Sequence, residues 1–216
     1  MLQLTQKLTT ITSTGPQPPT VLSGLLIALV ILCLPGSIRS EQMPPAEEIG
    51  QIQVYSTEAE ARARLFPAAA GFELRIHAID STARAVLTER MGHRVVDDSF
   101  AVYIARGDQG QLLGYAAVTE EVGKYRPITF MVGIDEELKI EDVAVLVYRE
   151  SRGAEVRRSR FLRQYRGKSG DDPIRINRDI INITGATMSV RALNAGVRRT
   201  VALTELIYRD SGAMLR

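Results

Sequence analysis

The chain holds one cysteine, Cys33, and it lies inside an apolar N-terminal run. A mature form that loses this run has no thiol, which excludes disulfides, thiolate catalysis, iron–sulfur ligation and C-x-x-C-H haem attachment. Histidine is nearly as scarce. His77 and His93 lack companions at ligand spacing, so no metal site is expected. No nucleophile with a base and an orienting group stands out, and no catalytic residue is assigned. Long apolar runs are missing too: residues 21–34 are only fourteen, short of the about 20 that a membrane-spanning helix needs. That stretch, broken by Pro35 and Gly36, suits the core of a signal peptide, with an uncleaved N-terminal anchor as the alternative for residues 1–40. Leu32 before Cys33 is too large for a lipoprotein signal. Net charge is also small. Of the 27 basic residues only Lys7 and Arg39 fall in residues 1–40, which contain no acid, so the rest sets 25 basic against 25 acidic residues. A remainder of about 175 residues is enough for one well-buried domain.

The pattern that is present reads as α+β. Residues 41–55, with Pro44, Pro45 and several acids, read as a linker. Ser56 stands where it would cap a short helix over TEAEARARLF, stopped by Pro67, and Asp80 or Ser81 opens a second over STARAVLTERMG, stopped by Gly92. Residues 56–98 are therefore expected to form a helical N-terminal part. From Phe100 the period changes to two, with Phe100, Val102 and Ile104 on one face, a turn at residues 107–110 and a second strand over residues 112–118. Pro127 leads into a third strand, ITFMVGI, and after a polar turn Val143, Val145 and Val147 alternate with Ala144, Leu146 and Tyr148 in a fourth. Four consecutive strands joined by short polar turns predict an antiparallel meander with flanking helices, not a doubly wound sheet.

Residues 149–178 carry ten basic side chains against Glu150, Glu155, Asp171 and Asp172, a local excess of six. The run lacks the interleaved aromatics of a base-stacking surface, and no nucleic-acid partner is expected. Val156, Phe161, Leu162 and Tyr165 can supply the buried side of a helix over residues 154–166, which leaves the charges as a solvated face. Such a face also suits an anionic group or an acidic partner.

The last element organises the rest. In ITGATMS, residues 183–189, Gly185 and Ala186 leave the backbone open around Thr187, and Ser189 is placed to cap the helix behind it. Val190, Leu193, Val197 and Val201 then fall three or four apart, with Arg191, Asn194, Arg198 and Arg199 on the other faces. A long C-terminal helix with one core-facing stripe is expected. Its N-terminus directs unpaired N–H groups at the Thr187 turn, an arrangement that favours a phosphate.

ITGATMS resembles the D-x-x-S/T-G-A-T-x-S/T motif of the FMN-binding domain family, whose best-known members are flavin subunits of sodium-pumping quinone reductase and of Rnf-type complexes. GYAAV at residues 114–118, GKYRPITFMVGID at residues 123–135 and RESRG at residues 149–153 resemble further elements of that family in the same order, so the likeness runs from about Phe100 to Leu206. Ile181 stands where the motif has Asp, with Asn182 and Asp179 nearby, Lys124 stands where the family has Tyr, and Ser151-Arg152 replace Thr-Pro.

The resemblance implies an FMN-binding domain over residues 99–210, with FMN joined to Thr187 through a phosphoester. Thr184, Gly185, Ala186, Ser189, Asn182, Glu150, Ser151 and Gly153 are its other expected contacts. It further implies a flavin transferase that uses FAD, and electron donor and acceptor proteins, soluble or membrane-bound. The function expected is that of an exported, periplasmic electron carrier or electron-transport subunit, free or tethered to the inner membrane by residues 21–34, and not of an enzyme with its own substrate. The competing reading, favoured by Ile181, is a flavin-free exported binding or assembly module of the same fold.

Overall fold

The computed structural model describes residues 51–213, so the expectations for residues 1–40, and for most of the linker, lie outside the described residues. The framework is a six-stranded antiparallel sheet whose strands lie in the order β1 (Gln53–Val54), β6 (Ile140–Tyr148), β5 (Pro127–Asp135), β4 (Leu112–Val122), β3 (Ser99–Arg106) and β2 (Gly71–Ala78). Its central part is the expected meander: β3 (Ser99–Arg106), β4 (Leu112–Val122), β5 (Pro127–Asp135) and β6 (Ile140–Tyr148). The period-two pattern sorts side chains onto two faces. Val102, Ile104, Tyr115, Ala117, Phe130, Val132, Val143 and Val145 build the larger core, and Ala105, Ala116, Met131, Ala144 and Leu146 a smaller one behind it.

The last helix, α4 (Thr187–Ala213), covers the larger face. Val190, Leu193, Val197 and Val201 are all fully buried there, as their spacing predicts. Gly196 lets the helix approach the sheet, since a Cβ at that position would lie 2.9 Å from Glu121 Cγ and 3.2 Å from Thr119 Cγ2. Asn194 departs from the expected outward face. It is buried because Tyr165 donates its phenol hydrogen to Asn194 Oδ1 at 2.7 Å.

The smaller face is closed by α1 (Glu58–Leu65), whose Ala61 and Leu65, with Phe66, pack on the small side chains of the sheet. Its cap is Thr57 and not Ser56. Thr57 Oγ1 accepts from the Glu60 N–H at 3.2 Å and the Glu60 carboxylate accepts from the Thr57 N–H at 2.8 Å, a reciprocal box that only Thr57 is spaced to make. The second helix, α2 (Ser81–Met91), is capped by Asp80 and ends at Gly92, whose φ is +75°.

Three elements correct the expectations. Between the helices runs β2 (Gly71–Ala78), an edge strand paired along its length with β3, so residues 56–98 are not wholly helical. Gln53–Val54, inside the expected linker, form β1 and pair with β6. The expected helix over residues 154–166 is broken into a 3₁₀ turn (Ala154–Arg157), a single-turn α3 (Ser159–Leu162) and a second 3₁₀ turn (Arg163–Tyr165). Arg158 at φ −67°, ψ 132° interrupts the helical backbone, while Val156, Phe161, Leu162 and Tyr165 still bury as a set.

Candidate functional site

Three segments distant in sequence meet at the N-terminus of α4. They enclose a cavity of about 570 Å³. The β4–β5 turn contributes Lys124 and Tyr125, the loop after β6 contributes Glu150, Ser151 and Arg152, and the opening of α4 contributes Gly185, Ala186, Thr187, Met188 and Ser189. Each is held in place by contacts the sequence dictates.

Glu150 is buried and brackets the first two segments. Its Oε1 accepts from the backbone N–H of Tyr125 at 2.6 Å and of Arg126 at 3.0 Å. Gly123 makes that approach possible, because a Cβ there would lie 2.7 Å from the same oxygen. The carboxylate is therefore a structural clamp between the β4–β5 turn and the loop after β6, at the cavity wall. The Lys124 ammonium lies over the Tyr125 ring, 4.4 Å from its centre.

Tyr148, the last residue of β6, ties the second segment to the third. Its hydroxyl donates to the Arg152 carbonyl and meets Ser189 Oγ at 2.8 Å. Burial pushes the Tyr148 phenol up to about 12, against the opposing pull of its hydrogen bond with Ser189. Ser189 is thus not the helix cap. It occupies the third residue of α4 and faces inward, where a buried phenol satisfies it.

The residue before α4 is Ala186, whose carbonyl accepts from the Val190 N–H at 2.9 Å and whose side chain offers no acceptor. Among the described residues the N–H groups of Thr187, Met188 and Ser189 have no hydrogen-bond acceptor. An uncapped N-terminus of this kind, at a cavity wall, is an anion site by geometry and dipole together. Gly185 at φ +83° forms the approach, with nothing within 4 Å of where a Cβ would stand.

Thr187 is half-buried on the cavity wall, and the Asn182 Nδ2 donates to its hydroxyl at 2.9 Å. That bond orients the hydroxyl oxygen. The other end of the amide, Asn182 Oδ1, is buried without a partner. Asp179, the other polar neighbour of Ile181, is committed elsewhere. Burial opposes its charge, but the N–H groups of Arg175 and Ile174 and the Lys168 ammonium outweigh it and hold its carboxyl below the usual range.

The structure thus brings Glu150, Ser151, Gly185, Ala186, Thr187 and Ser189 to one cavity, with Asn182 outside its lining and bonded to Thr187. Thr184 is exposed in the preceding turn and does not line it. Gly153 stands behind the wall and not in it: at φ +93°, a Cβ there would come 2.6 Å from Ser189 Oγ and 2.7 Å from the Tyr148 oxygen. Lys124, Tyr125, Arg152 and Met188 are wall residues that sequence reasoning did not assign. The first three lie in segments whose motifs were legible, but nothing local says that those segments meet α4.

The residues fit a flavin mononucleotide. The volume lies within the about 300–1,000 Å³ of sites for ligands of that size. The uncapped helix end and open Gly185 at the cavity wall suit a phosphate.

Comparison with known proteins agrees. Residues 123–202 match the family model of the FMN-binding domain, a span from the Gly123 turn into α4 that contains every wall residue of the cavity. Among solved structures the chain is similar to NqrC of Shewanella oneidensis, with a TM-score of 0.50 and 14% identity over 73% of this chain and 90% of that one. It is also similar to a subunit of the Na(+)-translocating NADH-quinone reductase of Parabacteroides distasonis, at a TM-score of 0.44 and 15% identity over 70% of this chain and 83% of that one. At 14% identity the likeness to the Shewanella protein is one of fold. No curated protein matches the chain.

Proposed function

We propose that the FMN-binding domain at residues 123–202 carries its FMN as a phosphoester on Thr187, and that the chain works as an exported electron carrier. The observation that carries this reading is Thr187 itself, on the wall of a cavity at an uncapped helix N-terminus, with its hydroxyl held by Asn182. The N–H groups of Thr187, Met188 and Ser189 would hold the phosphate. Lys124, Tyr125, Ser151 and Arg152 would line the remainder of the cofactor, over a floor that Glu150 and the Tyr148–Ser189 pair keep rigid.

Bound FMN supplies one- and two-electron redox chemistry, while the protein sets position and electrostatic surroundings. Lys124 and Arg152 are the basic groups in the wall, and no wall residue besides Glu150 is acidic. Positive charge there stabilises electron density gained at the site and raises the affinity for the electron. A tether suits an exported carrier, because a flavin lost outside the cytoplasm is not replaced. Its loading falls to a separate flavin transferase that uses FAD, and its electrons pass between donor and acceptor proteins. Residues 21–34 would direct export to the periplasm or tether the chain to the inner membrane.

The test is co-expression with a flavin transferase, followed by a denaturing gel viewed under ultraviolet light. The wild type should fluoresce, and Thr187→Ala and Thr187→Val should be dark while remaining folded. A dark wild-type band alongside a flavinylated control protein would instead favour the flavin-free binding module, the reading that exposed Ile181 in place of the motif's Asp keeps open.

A further inference from the structure

A second recess, of about 350 Å³, lies between the middle of α4 and the segment at residues 174–177. Arg191, Asn194 and Arg198 reach it from α4 at spacings of three and four, which put them on one helix face, and Arg175 and Asn177 reach it from the segment opposite. No carboxylate lines it. Among the described residues none of the three guanidiniums has an ion pair or side-chain hydrogen bond. The acids nearby in sequence are spent. Asp179 is held by Lys168 and by the N–H groups of Ile174 and Arg175, and Asp172, in the small recess that adjoins Arg198, accepts from the Ser169 N–H at 2.9 Å.

Two further facts bear on a ligand. Asn194 is 6% exposed and its Oδ1 is fixed by the Tyr165 phenol, so its amide N–H groups are the part left for the recess, and among the described residues they have no partner. Arg198 is held below the ordinary guanidinium range, by burial first and then by Arg175 and Arg90. Arg90 has its own counter-ion in Glu205, whereas among the described residues neither Arg175 nor Arg198 has one. Like charges are crowded here at a cost, beside a preorganised loop, around a space large enough for a small polyanion.

We propose that this recess binds a phosphate group, as a phosphate monoester or diphosphate, with Arg175, Arg191, Arg198 and the Asn194 amide as donors. A planar guanidinium bonds two phosphate oxygens at once, and three of them with no lining acid select a multiply charged anion over chloride or a carboxylate. The phosphate is either free in solution or the head group of an anionic lipid. The site is separate from the cavity at Thr187 and stands whether or not flavin is carried there.

The test is calorimetric titration of the full chain with inorganic pyrophosphate at constant ionic strength. In parallel, the chain is sedimented with phosphatidic acid vesicles and with phosphatidylcholine vesicles. Arg198→Gln and Arg191→Gln should each weaken binding roughly tenfold or more, the worth of one lost charge-assisted contact. Arg160→Gln, on the surface elsewhere, should change it by less than about twofold. Pyrophosphate binding with this pattern assigns a free phosphate ligand. Binding to phosphatidic acid vesicles alone, with the same pattern, assigns a lipid head group. Without ligand, Arg198→Gln should melt no lower than the wild type, because a repulsion is relieved. If that variant does not fold, exposed Arg191→Gln carries the comparison. Absence of binding in both arms, or equal loss in Arg160→Gln and Arg191→Gln, would overturn the proposal.

Discussion

Replacing Gly153 by alanine separates two costs that usually come together. Gly153 has φ +93°, so any side chain pays the left-handed backbone penalty, roughly 1–2 kcal/mol. A Cβ would also stand 2.6 Å from Ser189 Oγ, 2.7 Å from the Tyr148 oxygen and 3.3 Å from Ala186 Cβ. Either the loop retreats from α4 or the Tyr148–Ser189 bond opens, and an opened bond leaves a buried hydroxyl unpaired at about 1–3 kcal/mol. The two parts sum to about 2–5 kcal/mol. Gly185→Ala is the control, since Gly185 has φ +83° but nothing within 4 Å of its Cβ position, so only the first part applies. Urea denaturation of both variants measures the difference, expected to be about 1–3 kcal/mol greater for Gly153→Ala. In flavin-loaded protein, Gly153→Ala should also shift the flavin absorbance, because the wall behind Ala186 and Ser189 moves. Equal destabilisation of the two variants would refute the packing of this loop against α4.

Three other outcomes follow from the same geometry. Asn182→Ala should lower the fraction of chains loaded with flavin while leaving the melting temperature within a few degrees, measured as fluorescence per chain on denaturing gels; full loading would remove Asn182 as the group that orients Thr187. The Tyr148 phenol is raised to about 12 in the folded protein against 10.0 ordinarily, so its contribution to stability is whole below pH 10 and is lost as pH rises toward 12. Tyr148→Phe should flatten that decline in denaturation midpoint, and an unchanged slope would contradict it. Export predicts a mature N-terminus between about residues 37 and 45 in the periplasmic fraction, and Met1 retained on membrane-bound chains would establish the anchor instead.

How much of this was legible in the sequence depended on whether a signal was local. The stripe at Val190, Leu193, Val197 and Val201 is a property of one helix, and every member buries as its spacing requires. The alternation in β3 to β6 was equally readable. In β2 the same alternation is present at Phe72, Leu74 and Ile76, but it lies between two strong helix-capping signals, and Leu74 and Ile76 remain exposed on an edge strand. Asn194 and Ser189 depart from expectation for a common reason: a polar residue at a helical surface spacing suggests solvent or a cap, whereas each is bonded inside by a tyrosine from a distant element. The cavity was half legible. The GAT turn and the loop after β6 carry motifs, but the clamp from Glu150 to the Tyr125 and Arg126 N–H groups is a tertiary contact with no local trace. The basic run at residues 149–178 is visible, yet Arg191 and Arg198, which share a recess with its Arg175, come from α4 outside that run.

FMN on Thr187 is detectable by mass. After co-expression with an active flavin transferase and ample FAD, trypsin should release residues 179–191 as one peptide, cut after Arg178 and Arg191. With FMN on Thr187, this peptide gains the mass of FMN less water, and fragmentation maps the addition to Thr187 and not to Thr184 or Ser189. An unmodified peptide, or an addition mapped to either neighbour, would contradict it.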